Sequence, residues 1–99
     1  MNLSELRRKL AKVERAIKVT DQAFYNDVFD NLMARRTAMN MLASQLLPRS
    51  EADAIFLHDL IDELSEFVDD EPTSETARAE AIEGIQRINE NLRAYLLEP

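Results

Sequence analysis

The sequence is poor in the residues that form tight turns and reactive centres. Its 99 residues include no cysteine, one glycine, three prolines and one histidine. The lack of cysteine excludes disulfides, thiolate metal ligands and cysteine nucleophiles, and a single histidine excludes a metal centre with several histidines. So little glycine and proline argues against β-hairpins, phosphate-binding loops and low-complexity linkers. We therefore expect a single α-helical domain over residues 1–99.

Long apolar runs are also missing. The apolar stretches are only a few residues long, whereas a membrane span needs about 20 residues. No apolar run of signal-peptide length follows the charged N-terminal residues. We expect a cytoplasmic protein that makes no contact with a membrane, and the lack of cysteine fits that location.

Charge is spread unevenly along the chain. Residues 1–49 hold nine basic and five acidic side chains, a net charge of +4. Residues 50–99 hold three arginines and fourteen carboxylates, a net charge of −11, and the whole chain carries −7. The two halves either pack side by side or form an interaction surface. A net charge of −7 suits a basic protein partner and argues against binding to nucleic acid.

Apolar residues recur at helical spacing in four segments. The predicted helices span about residues 3–19, 20–47, 51–69 and 75–97. Predicted N-caps are Ser4, Ser50 and either Thr73 or Ser74, and Pro48 is predicted to end the second helix. The apolar stripe keeps its phase through residues 3–47, which favours one continuous helix. Thr20, however, begins a segment typical of a helix start, which favours two helices, and the sequence leaves both alternatives open. The sequence thus predicts an all-α fold, an antiparallel bundle of three or four helices.

The apolar stripe of residues 3–47 is long relative to the two later helices. A stripe of this length predicts a homodimer stabilised by helix packing, with Leu10 and Leu42 among the contacts. Arg35 falls within the stripe, where an apolar residue is expected. Its charge must reach solvent or pair with a carboxylate of the same chain or of a second copy, which would fix the register.

The third predicted helix carries a series of carboxylates, and the fourth carries Glu80 and Glu83. The series comprises Asp59, Asp62, Glu63, Glu66, Asp69 and Asp70. Acidic pairs on facing helices can hold Mg²⁺ for diphosphate hydrolysis, and the pattern superficially resembles helical nucleotide pyrophosphatases. On a helical wheel, however, the series lies opposite the leucines of the same helix. We therefore expect these carboxylates to face solvent, with no metal or other cofactor bound.

Two smaller features suggest other chemistry. His58 and Asp59 form a dipeptide found in some metal-dependent hydrolases, but no further histidine is present to complete such a site. We expect His58 at the edge of the apolar face of its helix. The first helix carries six basic residues that could contact phosphates, although no aromatic residue interleaves with them. They are Arg7, Arg8, Lys9, Lys12, Arg15 and Lys18.

The leading hypothesis is a small acidic, non-catalytic helical module that binds another protein as a regulator, adaptor or inhibitor. One predicted partner surface is the acidic face formed by Asp59, Asp62, Glu63, Glu66 and Asp70. A second is the apolar flank formed by Tyr25, Phe29 and Met33. The alternatives are a Mg²⁺-dependent nucleotide hydrolase that uses carboxylates of the last two helices, and a nucleic-acid-associated protein that uses the basic N-terminal helix.

Overall fold

The computed structural model describes residues 1–20, 26–69 and 74–97. These residues form four α-helices and contain no β-strand. The helices are α1 (Leu3–Val19), α2 (Asn26–Ala43), α3 (Glu51–Asp69) and α4 (Glu75–Leu97). The predicted all-α fold is confirmed, and the four helices form a bundle. None of the described helices is both long enough and apolar enough to cross a membrane.

The ends of α1 differ from the prediction. The Asn2 side chain accepts a hydrogen bond from the Glu5 N–H at 2.9 Å, so Asn2 rather than Ser4 caps the helix. Thr20 ends α1 instead of starting the next helix. Its hydroxyl donates to the Ala16 carbonyl at 2.7 Å, and its backbone is extended. The first two segments are therefore separate helices, not one continuous helix.

Helix α2 is shorter than the predicted segment 20–47. It ends at Ala43, ahead of the predicted stop at Pro48. The side-chain amide of Asn91 in α4 donates to the Ser44 carbonyl at 3.2 Å and to the Leu46 carbonyl at 3.4 Å. These tertiary contacts satisfy carbonyl groups of the turn that follows the helix. The sequence around Pro48 carries no sign of a partner so far along the chain.

The bounds of α3 and α4 agree with the predicted ones, and so do their caps. The Ser50 hydroxyl accepts a hydrogen bond from the Asp53 N–H at 3.1 Å. The Ser74 hydroxyl accepts one from the Ala77 N–H, also at 3.1 Å. Both caps satisfy N–H groups of the first helical turn, which have no partner within the helix.

The helices pack mainly as two hairpins. Helix α1 lies along α2, and α3 lies along α4. The hairpins meet around one hydrophobic cluster, here called the shared core, to which all four helices contribute. It consists of Leu3, Leu6, Ala43, Leu57, Leu60 and Ile88. Its members from α1 and α2 lie at the start of α1 and the end of α2, so the shared core occupies one end of the first hairpin. The molecule measures 51 × 30 × 17 Å.

The predicted apolar stripe of α2 is only partly buried. Val28 is 51% exposed and Leu42 is 38% exposed, and Arg35 is exposed as well. Leu32 and Met39 of the stripe are half-buried, and Met39 packs against the shared core. Met33, Arg36 and Asn40 are half-buried as well, and Ala43 is fully buried. The inward side of α2 therefore includes part of the predicted stripe and the positions beside it.

Candidate interaction groove

A groove opens between α2, α3 and α4, beyond the shared core. Its volume is about 540 Å³. Residues from all three helices line it: Met33, Arg36, Thr37, Asn40, Met41, Glu63, Leu64, Glu66, Phe67, Ala77, Glu80 and Ala81. The α2 positions recur every three or four residues, so they share one face of that helix. This volume lies within the range of ligand-binding pockets.

The groove has an apolar floor. Met33 and Met41 come from α2, Leu64 and Phe67 from α3, and Ala81 from α4. Phe67 is 43% exposed, although an aromatic side chain of this size is usually well buried. Burying apolar area stabilises a complex by about 25 cal/mol per Å². An apolar partner that covers this floor would therefore form a complex stabilised by the burial of apolar area.

Carboxylates form the rim of the groove. Glu63, Glu66 and Glu80 are exposed and belong to two different helices. Arg36 is the one basic residue among the described lining residues. Its guanidinium lies 3.5 Å from the Glu63 carboxylate and 3.7 Å from that of Glu14. Because this positive charge is already paired, the groove presents net negative charge to a partner.

The sequence predicts that Arg35 either reaches solvent or pairs with a carboxylate. In the structure Arg35 is exposed, and the neighbouring Arg36 makes the contact with an acidic helix, through Glu63 of α3. Each such partly exposed pair contributes about 0–1 kcal/mol to stability, so it positions Arg36 more than it stabilises the fold.

The groove joins members of both predicted partner surfaces. Glu63 and Glu66 of the acidic face and Met33 of the apolar flank all line it. Asp59 and Asp62 are exposed on α3 outside the lining, and Phe29 is half-buried outside it. The predicted residues Tyr25 and Asp70 lie outside the described residues.

The predicted dimer contacts have different surroundings. Leu10 is 5% exposed, buried within its own chain, whereas Leu42 lies at the surface of α2. A surface contact with a second copy is therefore open to Leu42 but not to Leu10. Arg35 is exposed on the same helix.

The carboxylates of α3 and α4 do not converge on one point. In the described part of the chain, one group of potential metal ligands has donor atoms within 4.8 Å of one another: His58, Asp59 and Asp62. All three are exposed and lie on α3 alone. Glu63, Glu66 and Glu80 belong to no such group. An exposed cluster on a single helix leaves most of the coordination shell to water.

A buried ion pair, which the sequence analysis did not predict, joins the two hairpins near the shared core. Asp53 is 3% exposed, and its carboxylate lies 3.0 Å from the Arg7 guanidinium of α1. It also accepts a hydrogen bond from the Arg49 N–H at 3.0 Å. The sequence contains an acidic residue in the first turn of α3 and a basic residue on α1, but only the fold shows that these two side chains are in contact. One of the six predicted phosphate-binding residues, Arg7, is thus engaged internally.

A second contact holds α4 against the end of α2. Ser44 is fully buried, and its hydroxyl donates to the Met41 carbonyl at 2.6 Å. The Arg87 guanidinium donates to the same hydroxyl at 3.4 Å. A basic side chain at the C-terminal end of a helix is favourable because carbonyl groups there carry partial negative charge. Since Met41 also lines the groove, this contact positions part of its floor.

No protein-family model, curated protein or solved structure matches this chain.

Proposed function

We propose that the protein is a small, non-catalytic interaction module that binds a basic surface of another protein at the groove. The observation that carries the proposal is the combination of an apolar floor with an acidic rim. The floor includes Met33, Leu64 and Phe67, and the rim includes Glu66 and Glu80. Apolar burial supplies affinity in such interfaces, while complementary charge steers association and selects the partner. A regulator, adaptor or inhibitor needs no other chemistry.

The non-catalytic part of the proposal is supported by the arrangement of the polar groups. Glu63, Glu66 and Glu80 are separate carboxylates on the rim, and no cluster of metal ligands within the described ranges joins α3 to α4. A Mg²⁺-dependent hydrolase would need such a cluster to hold the metal against a phosphate. We expect Mg²⁺ to leave the melting temperature nearly unchanged. A rise of several degrees, with nucleotide hydrolysis that is lost in Glu63→Gln, would favour the enzyme.

The proposal includes a homodimer and a cytoplasmic location. Val28, Arg35 and Leu42 form an exposed row on α2 that a second copy could cover. The spacing of this row, seven residues between neighbours, is the repeat of a helix–helix seam. A chain without cysteine suits the reducing cytoplasm. Light scattering across a concentration series tests the dimer, and a monomer at every concentration would contradict it.

The experiment for the proposed function measures association rates. The immobilised protein is incubated with an extract of its native cell, and the proteins that it captures are identified by mass spectrometry. Stopped-flow mixing then gives the association rate of the captured protein across a salt series. We expect the rate to fall as salt rises, because exposed charges more than about 8–10 Å apart are screened at physiological ionic strength.

The matched variants for that experiment reverse charges at two sites. Asp62→Lys together with Glu66→Lys should slow association about tenfold, with a smaller effect on dissociation. Glu51→Lys together with Glu90→Lys makes the same change in net charge away from the groove lining and should have less effect. All four residues are exposed, so both variants should fold. Rates that respond neither to salt nor to reversal near the groove would contradict the proposal.

A further inference from the structure

We infer that the groove binds one basic amphipathic helix of the partner protein. Its apolar residues would lie on Met33, Met41, Leu64 and Phe67, and its basic residues would meet Glu66 and Glu80. This inference rests on the proposed function and adds the shape and the chemistry of the binding segment. It has three independent supports: the walls, the length and the unpaired charges of the groove.

The walls of the groove favour a helix over an extended segment. All the residues that line it belong to α-helices. Backbone N–H and C=O groups of a helix bond within the helix or to its caps, so no strand edge in the described residues is available for an extended peptide. A partner must therefore bind through side chains. Helices do this by inserting one apolar face, with anchors at positions i, i+3 or i+4, and i+7.

The length of the floor fits such a face. Met33 and Met41 are eight residues apart on α2. This separation is about 12 Å at 1.5 Å per residue. Anchors at positions i and i+7 of a partner helix are about 10.5 Å apart by the same rule. Methionine side chains are flexible and polarizable, so they can adjust to anchors of different shape.

The rim carboxylates without a basic partner among the described residues indicate which side chains would flank the apolar face of the partner helix. Of the three rim glutamates, Glu63 already pairs with Arg36. Neither Glu66 nor Glu80 pairs with a basic side chain among the described residues, and both are exposed at the groove. Lysine or arginine on either side of the apolar face of a partner helix would neutralise them. An acidic or neutral helix would leave them uncompensated.

The first test uses synthetic peptides of about 15 residues, the length at which an isolated helix becomes marginally stable. The probe has leucine at i, i+4 and i+7 and lysine on the flanks. Its matched control has the same composition, with the leucines distributed around the helix. Fluorescence anisotropy should show binding of the probe that is at least about tenfold tighter than that of the control. Equal affinities, or no binding of the probe, would overturn the inference.

The four methionines provide an internal control for the location of binding. Met33 and Met41 line the groove, whereas Met1 and Met39 do not. With ¹³C-labelled methionine methyl groups, the probe should shift the Met33 and Met41 resonances and leave the other two nearly unchanged. Shifts of equal size at Met1 and Met39 would contradict binding in the groove. If the Met33 and Met41 signals respond to protein concentration but not to the probe, a second copy fills the groove and the inference is wrong.

Two charge-reversal variants separate a groove contact from general attraction. Glu66→Lys with Glu80→Lys and Asp59→Lys with Glu90→Lys change the net charge equally, and only the first pair lines the groove. We expect the first variant to weaken probe binding about tenfold and the second less than about threefold. Circular dichroism checks that both remain folded.

An apolar pair of variants completes the design. Phe67→Ser should weaken probe binding, whereas Val28→Ser, outside the groove lining, should not. If both charge variants weaken binding equally and Phe67→Ser has no effect, the partner contacts a diffuse acidic surface. In that case the helix inference fails, and of the proposed function the non-catalytic binding of a basic protein stands without the groove. Association with the captured protein that is independent of salt would instead contradict the proposed function itself.

Discussion

Replacing Asp53 with alanine should destabilise the fold strongly, because this carboxylate links the two hairpins. The Asp53 side chain is 4% exposed and accepts hydrogen bonds from the Arg7 guanidinium and from the Arg49 N–H. Asp53→Ala removes both interactions and leaves the Arg49 N–H without its carboxylate partner. The Arg7 side chain is 30% exposed, so water can solvate part of its charge after the change.

The magnitude follows from these contacts. Breaking a buried ion pair by removing one partner costs about 3–5 kcal/mol. Because Arg7 is partly solvated, we expect the lower end, about 3 kcal/mol for Asp53→Ala. Arg7→Ala should lower the free energy of unfolding by about 2 kcal/mol. Asp53 would still accept the hydrogen bond from the Arg49 N–H and would still be stabilised by the helix dipole at the start of α3. The double variant should cost about 1.5 kcal/mol less than the sum of the single changes.

Urea denaturation followed by circular dichroism measures these free energies of unfolding. A loss of 3 kcal/mol also lowers the melting temperature by about 12–24 °C for a domain of this size. Asp59→Ala is the matched control, because Asp59 is an exposed aspartate of the same helix and should change stability by less than about 0.5 kcal/mol. Equal effects of Asp53→Ala and Asp59→Ala, or strict additivity in the double variant, would refute the reasoning.

Three further predictions concern α4 and α2. Gly84→Ala should raise the free energy of unfolding by about 1 kcal/mol. The new Cβ would lie 3.5 Å from Leu64 Cδ1, an ordinary contact, and a lower urea midpoint would contradict this. Asn91→Ala should lower stability by about 1–2 kcal/mol because the turn after α2 loses its side-chain donor, while Asn89→Ala, at an exposed position, should be nearly neutral in the same assay. Leu42→Asp should leave the fold intact and weaken the proposed dimer in light scattering.

The fold class and three of the four helices could be predicted because their signals are local. The apolar spacing and the serine caps of α3 and α4 act within one or two turns. The orientation of α2 could not be predicted in the same way. Its apolar residues cover more than one face, so the spacing alone does not say which face is buried. In the fold, Ala43 lies in the shared core and Met39 packs against it, through contacts between residues far apart in sequence.

Individual residues of the candidate groove could be predicted from the sequence, but the groove that they form together could not. The sequence identified Met33, Glu63 and Glu66 as surface residues of interest, but assigned them to two alternative surfaces. Glu80 entered only as a metal-ligand alternative. They come together because the two hairpins dock, through contacts such as Arg7 with Asp53 and Asn91 with the Ser44 carbonyl. Such contacts have no periodicity, so no pattern within a single helix could reveal them.

The two-hairpin architecture also has a consequence for the order of folding. Within each hairpin, contacts join neighbouring helices and need only short loops to close. The contacts that join the hairpins, such as Arg7 with Asp53 and Asn91 with Ser44, connect residues 46 and 47 positions apart. Closing the longer loops costs more chain entropy. The hairpins should therefore form early and dock late, so changes at the docking contacts should accelerate unfolding more than they slow folding.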